Sequence, residues 1–256
     1  MKESYQGIKL SEREELIKVL VQKQVANNPG LIFFAGTSGS DHRGEATPFS
    51  DIEILLITKD EEVNPFYTVC SNCAISVDVV SRSRLFDICA EPDLQWPYYF
   101  GVIKSMSVLY GDEAERIKLV KLFTQTAPEK TMSCLQSHFP KLVFESFGRI
   151  LSCECRQNAE NLQSSIIEML TEMNLALCLL NHDCVFHDYL AGIRDAAAFS
   201  LLPKDYIALA EKLWFCNDLK IAAELAKELM DNYLALMDQH IIIPKLDLCQ
   251  LKLKRK

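Results

Sequence analysis

The hydrophobic period of this chain changes once along its length, and that change constrains the fold more than any single residue. In the first half, apolar residues come in short runs: LIFFAG at 31–36, DIEILLIT at 51–58 and AISVDVV at 74–80. Runs of this length, bounded by polar and glycine-bearing stretches, read as buried strands. From about Glu113 onward the spacing is helical. Ile117, Leu119, Val120 and Leu122 begin it, and Pro128 reads as a break or a first-turn residue. The stretches 162–180 and 206–215 follow the same pattern, as does 221–237, where Leu225, Leu229, Tyr233 and Leu236 recur every three or four residues.

The pattern predicts an α+β fold: an N-terminal mixed sheet with helices over 1–125 and a C-terminal helical bundle over 126–256. A chain of 256 residues is long enough for one large or two modest domains. A helix is also expected near the start, where Leu16, Ile17, Leu20, Val21 and Val25 form a stripe. Ser11 and Glu14 there have the spacing of a capping box.

Composition excludes several classes. At 49% apolar and 24% charged residues the chain is not disordered. Thirty-five acids against 27 bases give a net charge of −8, opposite in sign to a phosphate-backbone binder, so nucleic acid is not an expected partner. The first residues, MKESYQGIKLSEREEL, hold no apolar signal segment, and no run is long enough to cross a bilayer. The expected setting is therefore cytoplasmic, without membrane association. The ten cysteines then read as free thiols that fill core positions. Cys70 and Cys73 form a CxxC and Cys153 and Cys155 a CxC, but neither has a partner pair at a zinc-site spacing. The crowding of His182, Cys184 and His187 reads as a helix junction. Trp214 and Phe215 read as core or dimer-contact aromatics, and Asp87, Glu91 and Asp93 as a solvated face or loop, with a place at a cleft rim as the alternative for Glu91 and Asp93. The tail LKLKRK reads as solvated too.

Chemistry concentrates between the first two apolar runs and just beyond. Alternation along a strand puts Asp51 and Glu53 on one face, roughly 6–7 Å apart, as two ligands of a hard divalent cation require. Acid–apolar–acid also occurs at Glu113-Ala114-Glu115, so the tripeptide alone carries nothing. Its surroundings do. Gly39-Ser40 ends the preceding apolar run, Arg43 follows three residues later, and Asp78 lies within the next run. Small residues admit backbone amides to a phosphate, and serine and arginine add donors. Three acids beside such a turn suit metal-dependent phosphoryl or nucleotidyl transfer.

This order resembles the nucleotidyltransferase superfamily, with its polymerase-beta-like sheet. The run G-S-D-H-R-G-E-A-T-P-F-S-D-I-E is similar to the kanamycin nucleotidyltransferase family (aminoglycoside 4′-O-nucleotidyltransferases). So are Trp96-Pro97 with Gly101, and Phe144-Glu145-Ser146-Phe147-Gly148-Arg149. The resemblance spans about residues 10–150. It implies a Mg²⁺-dependent enzyme that moves AMP from ATP to a hydroxyl of a small molecule, an aminoglycoside-type antibiotic, and works as a homodimer. Carried over by position, Asp51 and Glu53 hold the metal with Asp78. Gly39, Ser40 and Arg43 hold the triphosphate, and Glu145 takes the hydroxyl proton. Arg149 replaces the family lysine at a phosphate-binding position, and Asp78 replaces a glutamate. Without the resemblance, Glu145 and Arg149 fit a plain salt bridge four residues apart on one helix face.

The departures fall on the acceptor side. Gln95 stands where the family has an aspartate before Trp-Pro, and Lys141 and Leu142 replace acids ahead of the base. Fewer carboxylates mean weaker attraction for a polycationic sugar. Two other readings use the same residues: a protein adenylyltransferase of the minimal nucleotidyltransferase antitoxin type, and a non-catalytic nucleotide-binding module. The presence of all three strand acids favours an enzyme.

Overall fold

A computed structural model describes residues 6–59 and 63–244. The tail LKLKRK and Cys249 lie outside the described residues. The fold is α+β, with a mixed five-stranded sheet and helices followed by a largely helical C-terminal part. Contacts divide the chain into two compact units, 1–130 and 131–256.

The first unit begins with α1 (Leu10–Asn27), which leads into β1 (Ile32–Thr37), the five-residue α2 (Gly39–Arg43) and β2 (Ile52–Thr58). A hairpin of β3 (Phe66–Cys70) and β4 (Cys73–Ser81) follows, then α3 (Arg82–Ala90), α4 (Trp96–Ser105), β5 (Ser107–Tyr110) and α5 (Glu113–Thr124). Strand order is β3-β4-β2-β1-β5; β2 and β4 run parallel and the other neighbouring pairs are antiparallel. Ile17 and Val21 of α1 cover one sheet face, packing with Ile52, Ile54 and Leu56 of β2 and Ile75 and Val77 of β4. Strand β2 is buried on both faces from Ile54 onward, as a strand in the middle of a sheet covered on both sides should be. Only at its start does one face stay open, and there the chain places Glu53. Trp96, Phe100 and Phe123 form a separate aromatic cluster, with ring centroids 5.2–5.9 Å apart.

Two sequence features take different structural roles. The expected capping box is absent: α1 starts at Leu10 after Lys9, no side chain caps it, and Glu14 pairs with Lys18 instead. The helix begins one residue before Ser11, so that serine lies inside the first turn. The CxxC is a hairpin turn. Cys70 and Cys73 are paired residues, and Ser71 and Asn72 between them are left-handed, with φ of 46° and 64°. A two-residue loop of that conformation matches the right-handed twist of its strands.

The second unit contains α6 (Pro128–His138, its first residues in unit one), α7 (Phe144–Arg156), α8 (Leu162–Asn181), α9 (Tyr189–Asp195), α10 (Tyr206–Trp214) and α11 (Leu219–Met237). Pro128 opens α6, where its missing N–H costs nothing. Helix α8 is buried at most positions and forms the centre of the unit. His182, Cys184 and His187 fall in the α8–α9 connection, and His187 Nδ1 lies 2.9 Å from Asp195. Trp214 stacks edge-on with Tyr189, whereas Phe215 is 68% exposed and is not a core residue. Asp93 is not merely solvated, since it binds Arg84. No helix among the described residues is long and apolar enough to cross a membrane.

Candidate active site

The polar stretch between β1 and β2 is fixed from below by a residue that local pattern does not single out. Arg13 of α1 is 2% exposed. Its guanidinium donates from Nε and Nη2 to the two carboxylate oxygens of Asp41, at 2.7 and 2.6 Å. It also donates to the carbonyls of Ser50 at 2.8 Å and Asp51 at 2.6 Å. One planar fork thus ties α2 to the entry of β2, a geometry that lysine cannot reproduce. The Ile8 N–H and the Cys73 thiol both donate to the Pro48 carbonyl, holding the middle of the loop.

The turn into α2 is equally constrained. Thr37 Oγ1 donates to the Glu53 carbonyl at 2.8 Å, and the Ser38 N–H donates to the same oxygen at 3.4 Å. Gly39 has a φ of 66°, in the left-handed region, and a Cβ there would overlap Glu53 Oε2. Glycine is therefore needed twice at this position, for backbone conformation and for the approach of the carboxylate. Ser40 is half-buried in the first turn of α2, and its carbonyl accepts the Glu45 N–H at 2.9 Å. Arg43 Nε donates to Glu45 at 2.7 Å.

Asp51 immediately precedes β2, and Glu53 lies within it. Both are exposed, while Ile52 and Ile54 point into the core. Register partners share a sheet face. Asp78 pairs with Leu55 and Ser76 with Glu53, so Asp78 belongs to the same face as the two β2 acids. It is half-buried and accepts a 2.7 Å hydrogen bond from the Tyr67 hydroxyl, which pushes the Tyr67 phenol above its usual range. Among the described residues no group of three or more His, Cys, Asp or Glu is placed to hold a metal ion. The donors present instead fit the form Mg²⁺ commonly takes, one or two carboxylates completed by waters and substrate phosphates. Asp51 and Glu53 are the pair that could hold it.

His42 is a second residue without a sequence signal. Its Nδ1 lies 2.6 Å from Ser107 Oγ, joining α2 to β5. Burial lowers its pKa below 6.5, and the cations Arg43 and Arg116 lower it further.

Glu145 and Arg149 lie in the second unit, on one face of α7 as their spacing predicts. Arg149 donates from Nη1 to Glu168 of α8 and from Nη2 to Glu145, and these bonds raise its pKa. The plain ion pair is therefore present, with a third member from another helix. Val143, just before α7, has a φ of 72°; its N–H donates to Glu172 at 2.9 Å, and Ser146 Oγ donates to the same carboxylate at 2.7 Å. On the acceptor side, Gln95 accepts from Arg84, Lys141 is exposed and Leu142 is buried.

Compared by sequence, no family model and no curated protein matches this chain. Among solved structures it is similar to a nucleotidyltransferase-like protein from Exiguobacterium sibiricum. The TM-score is 0.48 and the identity 14%, over 88% of this chain and 75% of that one. At that distance no residue role passes from one chain to the other, and the site stands on its own geometry.

Proposed function

We propose that this chain is a nucleotidyltransferase that moves AMP from ATP to a hydroxyl of a small molecule. The observation that carries the reading is the shared sheet face of Asp51, Glu53 and Asp78 beside the glycine turn at Gly39. A divalent cation bound there would neutralise triphosphate charge and stabilise the leaving pyrophosphate. In the reading, Asp51 and Glu53 are its carboxylate ligands, Asp78 is the third acid, and Gly39, Ser40 and Arg43 line the triphosphate. Glu145 takes the proton as the acceptor oxygen bonds to the α-phosphorus and the bridge to pyrophosphate breaks. Arg149 is bound to Glu145 and is suited to orienting it as well as to meeting phosphate. A homodimer and an aminoglycoside-type acceptor belong to the same proposal, with an acceptor cleft poorer in carboxylates at Gln95, Lys141 and Leu142.

The test is pyrophosphate release from Mg-ATP in the presence of aminoglycosides and lincosamides, alongside labelled ATP incubated with cell extract. Release that depends on an antibiotic and vanishes in Asp51→Asn supports the reading. Label on a polypeptide identifies the acceptor as protein instead. ATP binding indifferent to Mg²⁺, with no turnover on any acceptor, would make the chain a binding module and end the enzymatic reading.

A further inference from the structure

The sheet face that carries the three acids continues onto the edge strand β3, a part of it that the proposed reaction leaves unused. Ser76 pairs with Glu53 on one side and Tyr67 on the other, so these three residues form a row across β2, β4 and β3. Val69 and Ala74 are paired too, two positions along, and lie on the same face. Tyr67 is 63% exposed, Val69 is 71% exposed, and Ala74 is exposed as well. In the other direction the face closes, since Leu55, Ile57 and Val80 are buried. Asp78 stands at the step between the covered part and the open part. The Tyr67 hydroxyl donates to Asp78 at 2.7 Å, which holds an exposed ring in place across this step. A ligand that docks on a ring already fixed loses less entropy in ordering it.

Charge narrows what can lie there. In the proposed reaction Asp51 and Glu53 take the metal, which leaves Asp78 as the remaining acid of the face. Tyr99 of α4 is half-buried, and burial raises its pKa; Arg84, Asp78 and Asp93 also act on it, so the three lie within electrostatic reach of one phenol. Asp93 is paired with Arg84, which Gln95 shares. Asp78 is held by a neutral phenol instead. One negative charge is therefore left for a ligand, beside an aromatic ring and a valine.

We propose that Tyr67 determines acceptor specificity: its ring is the platform for a cyclic alcohol bearing a single ammonium group, whose charge meets Asp78. The inference rests on the transfer reading above and narrows its acceptor to a compound with one basic group. The ring and Val69 give the acceptor an apolar contact, and the ring face also attracts its cation. A polycation would set its further ammonium groups beside Val69 and Ala74, which carry no charge to meet them.

The test measures binding and transfer separately on the full chain. Lincomycin, a sugar derivative with one basic amine, and kanamycin, with four, are titrated calorimetrically in Mg²⁺ and then assayed for pyrophosphate release from Mg-ATP. Lincomycin should bind more tightly. Tyr67→Ala should weaken that binding about tenfold, and Tyr67→Phe, which keeps the ring, by no more than about threefold. Asp78→Asn should weaken it about tenfold through loss of the charge. In Tyr67→Ala the KM for the acceptor should rise while the KM for ATP stays as it was, a split that general loosening of the fold would not produce. Binding that follows Tyr67 without pyrophosphate release on either compound would support the subsite and count against the transfer reading. Release indifferent to Tyr67→Ala would overturn the subsite and leave the transfer reading standing. Tighter binding of kanamycin, or no binding of either compound at millimolar concentration, would overturn it as well. Tyr67 is exposed on an edge strand, so its replacement leaves the core untouched.

Discussion

Arg13 brings a charge into a region that excludes water, and four acceptor atoms in two segments compensate it. Removing one member of such a set leaves the rest desolvated and unpaired. Arg13→Met should therefore destabilise the chain by about 3–5 kcal/mol, seen as a lower urea midpoint. Asp41→Asn, which keeps an acceptor, should cost less. Arg13→Lys retains the charge and loses the fork; the chain should fold with a looser loop, and any transfer activity should fall further than stability does. Gly39 tests the other end of the same loop. With φ at 66° and Glu53 against its Cα, Gly39→Ala should cost about 1–2 kcal/mol in backbone strain alone. It should also displace the Glu53 carboxylate, so Mg²⁺-dependent activity should drop more than the denaturation midpoint implies. Gly44→Ala is a control for backbone strain, because that glycine is left-handed too but has nothing within reach of an added Cβ.

Elements respond through their ends. The β3–β4 hairpin turns on Ser71-Asn72, both left-handed, where Asn-Gly is the favoured pair. Ser71→Asn combined with Asn72→Gly should raise thermal stability by a few degrees, equivalent to about 1 kcal/mol. His42 links α2 to β5 and favours its neutral form, since burial and two cations depress its pKa below 6.5. Its contribution to stability is thus present above pH 6.5 and is lost as pH falls through the lower folded value. His42→Gln should flatten the stability profile on the acid side of neutrality, measured by denaturation at successive pH values. The same elements explain what the sequence discloses. β1, β2 and β4 are buried on one or both faces, so their apolar runs are legible, as are the stripes of α1, α8 and α11. β3 is an edge strand with four exposed residues and β5 has only four residues, so neither carries a buried period. The two β2 acids are legible through alternation. Arg13 is not, because an ion pair across 28 positions leaves no local spacing to read, and the serine two residues ahead of it suggests a cap instead.

At the scale of the whole molecule, the cysteines report on packing in both units. None of those described is in a disulfide. Cys73 and Cys89 are buried in the first unit, and Cys134, Cys153, Cys178 and Cys184 in the second. Burial pushes the Cys89 thiol up to about 11 and the Cys178 thiol higher still, so neither supplies thiolate near neutral pH. Cys155 alone among the described cysteines is exposed, while Cys70 and Cys216 are half-buried. A thiol reagent added to the native chain should modify Cys155 first and Cys70 and Cys216 more slowly, with the buried set reacting only as each unit opens. Cys155→Ser should remove a fast component without changing the slow ones. Because Cys73 and Cys178 belong to different units, the order in which they become reactive along a urea gradient measures the stability of each unit separately. Arg13→Met should advance Cys73, which shares the Pro48 anchor with the loop, and leave Cys178 in place if the two units open independently. Simultaneous exposure of both thiols in that variant would instead mean one cooperative transition.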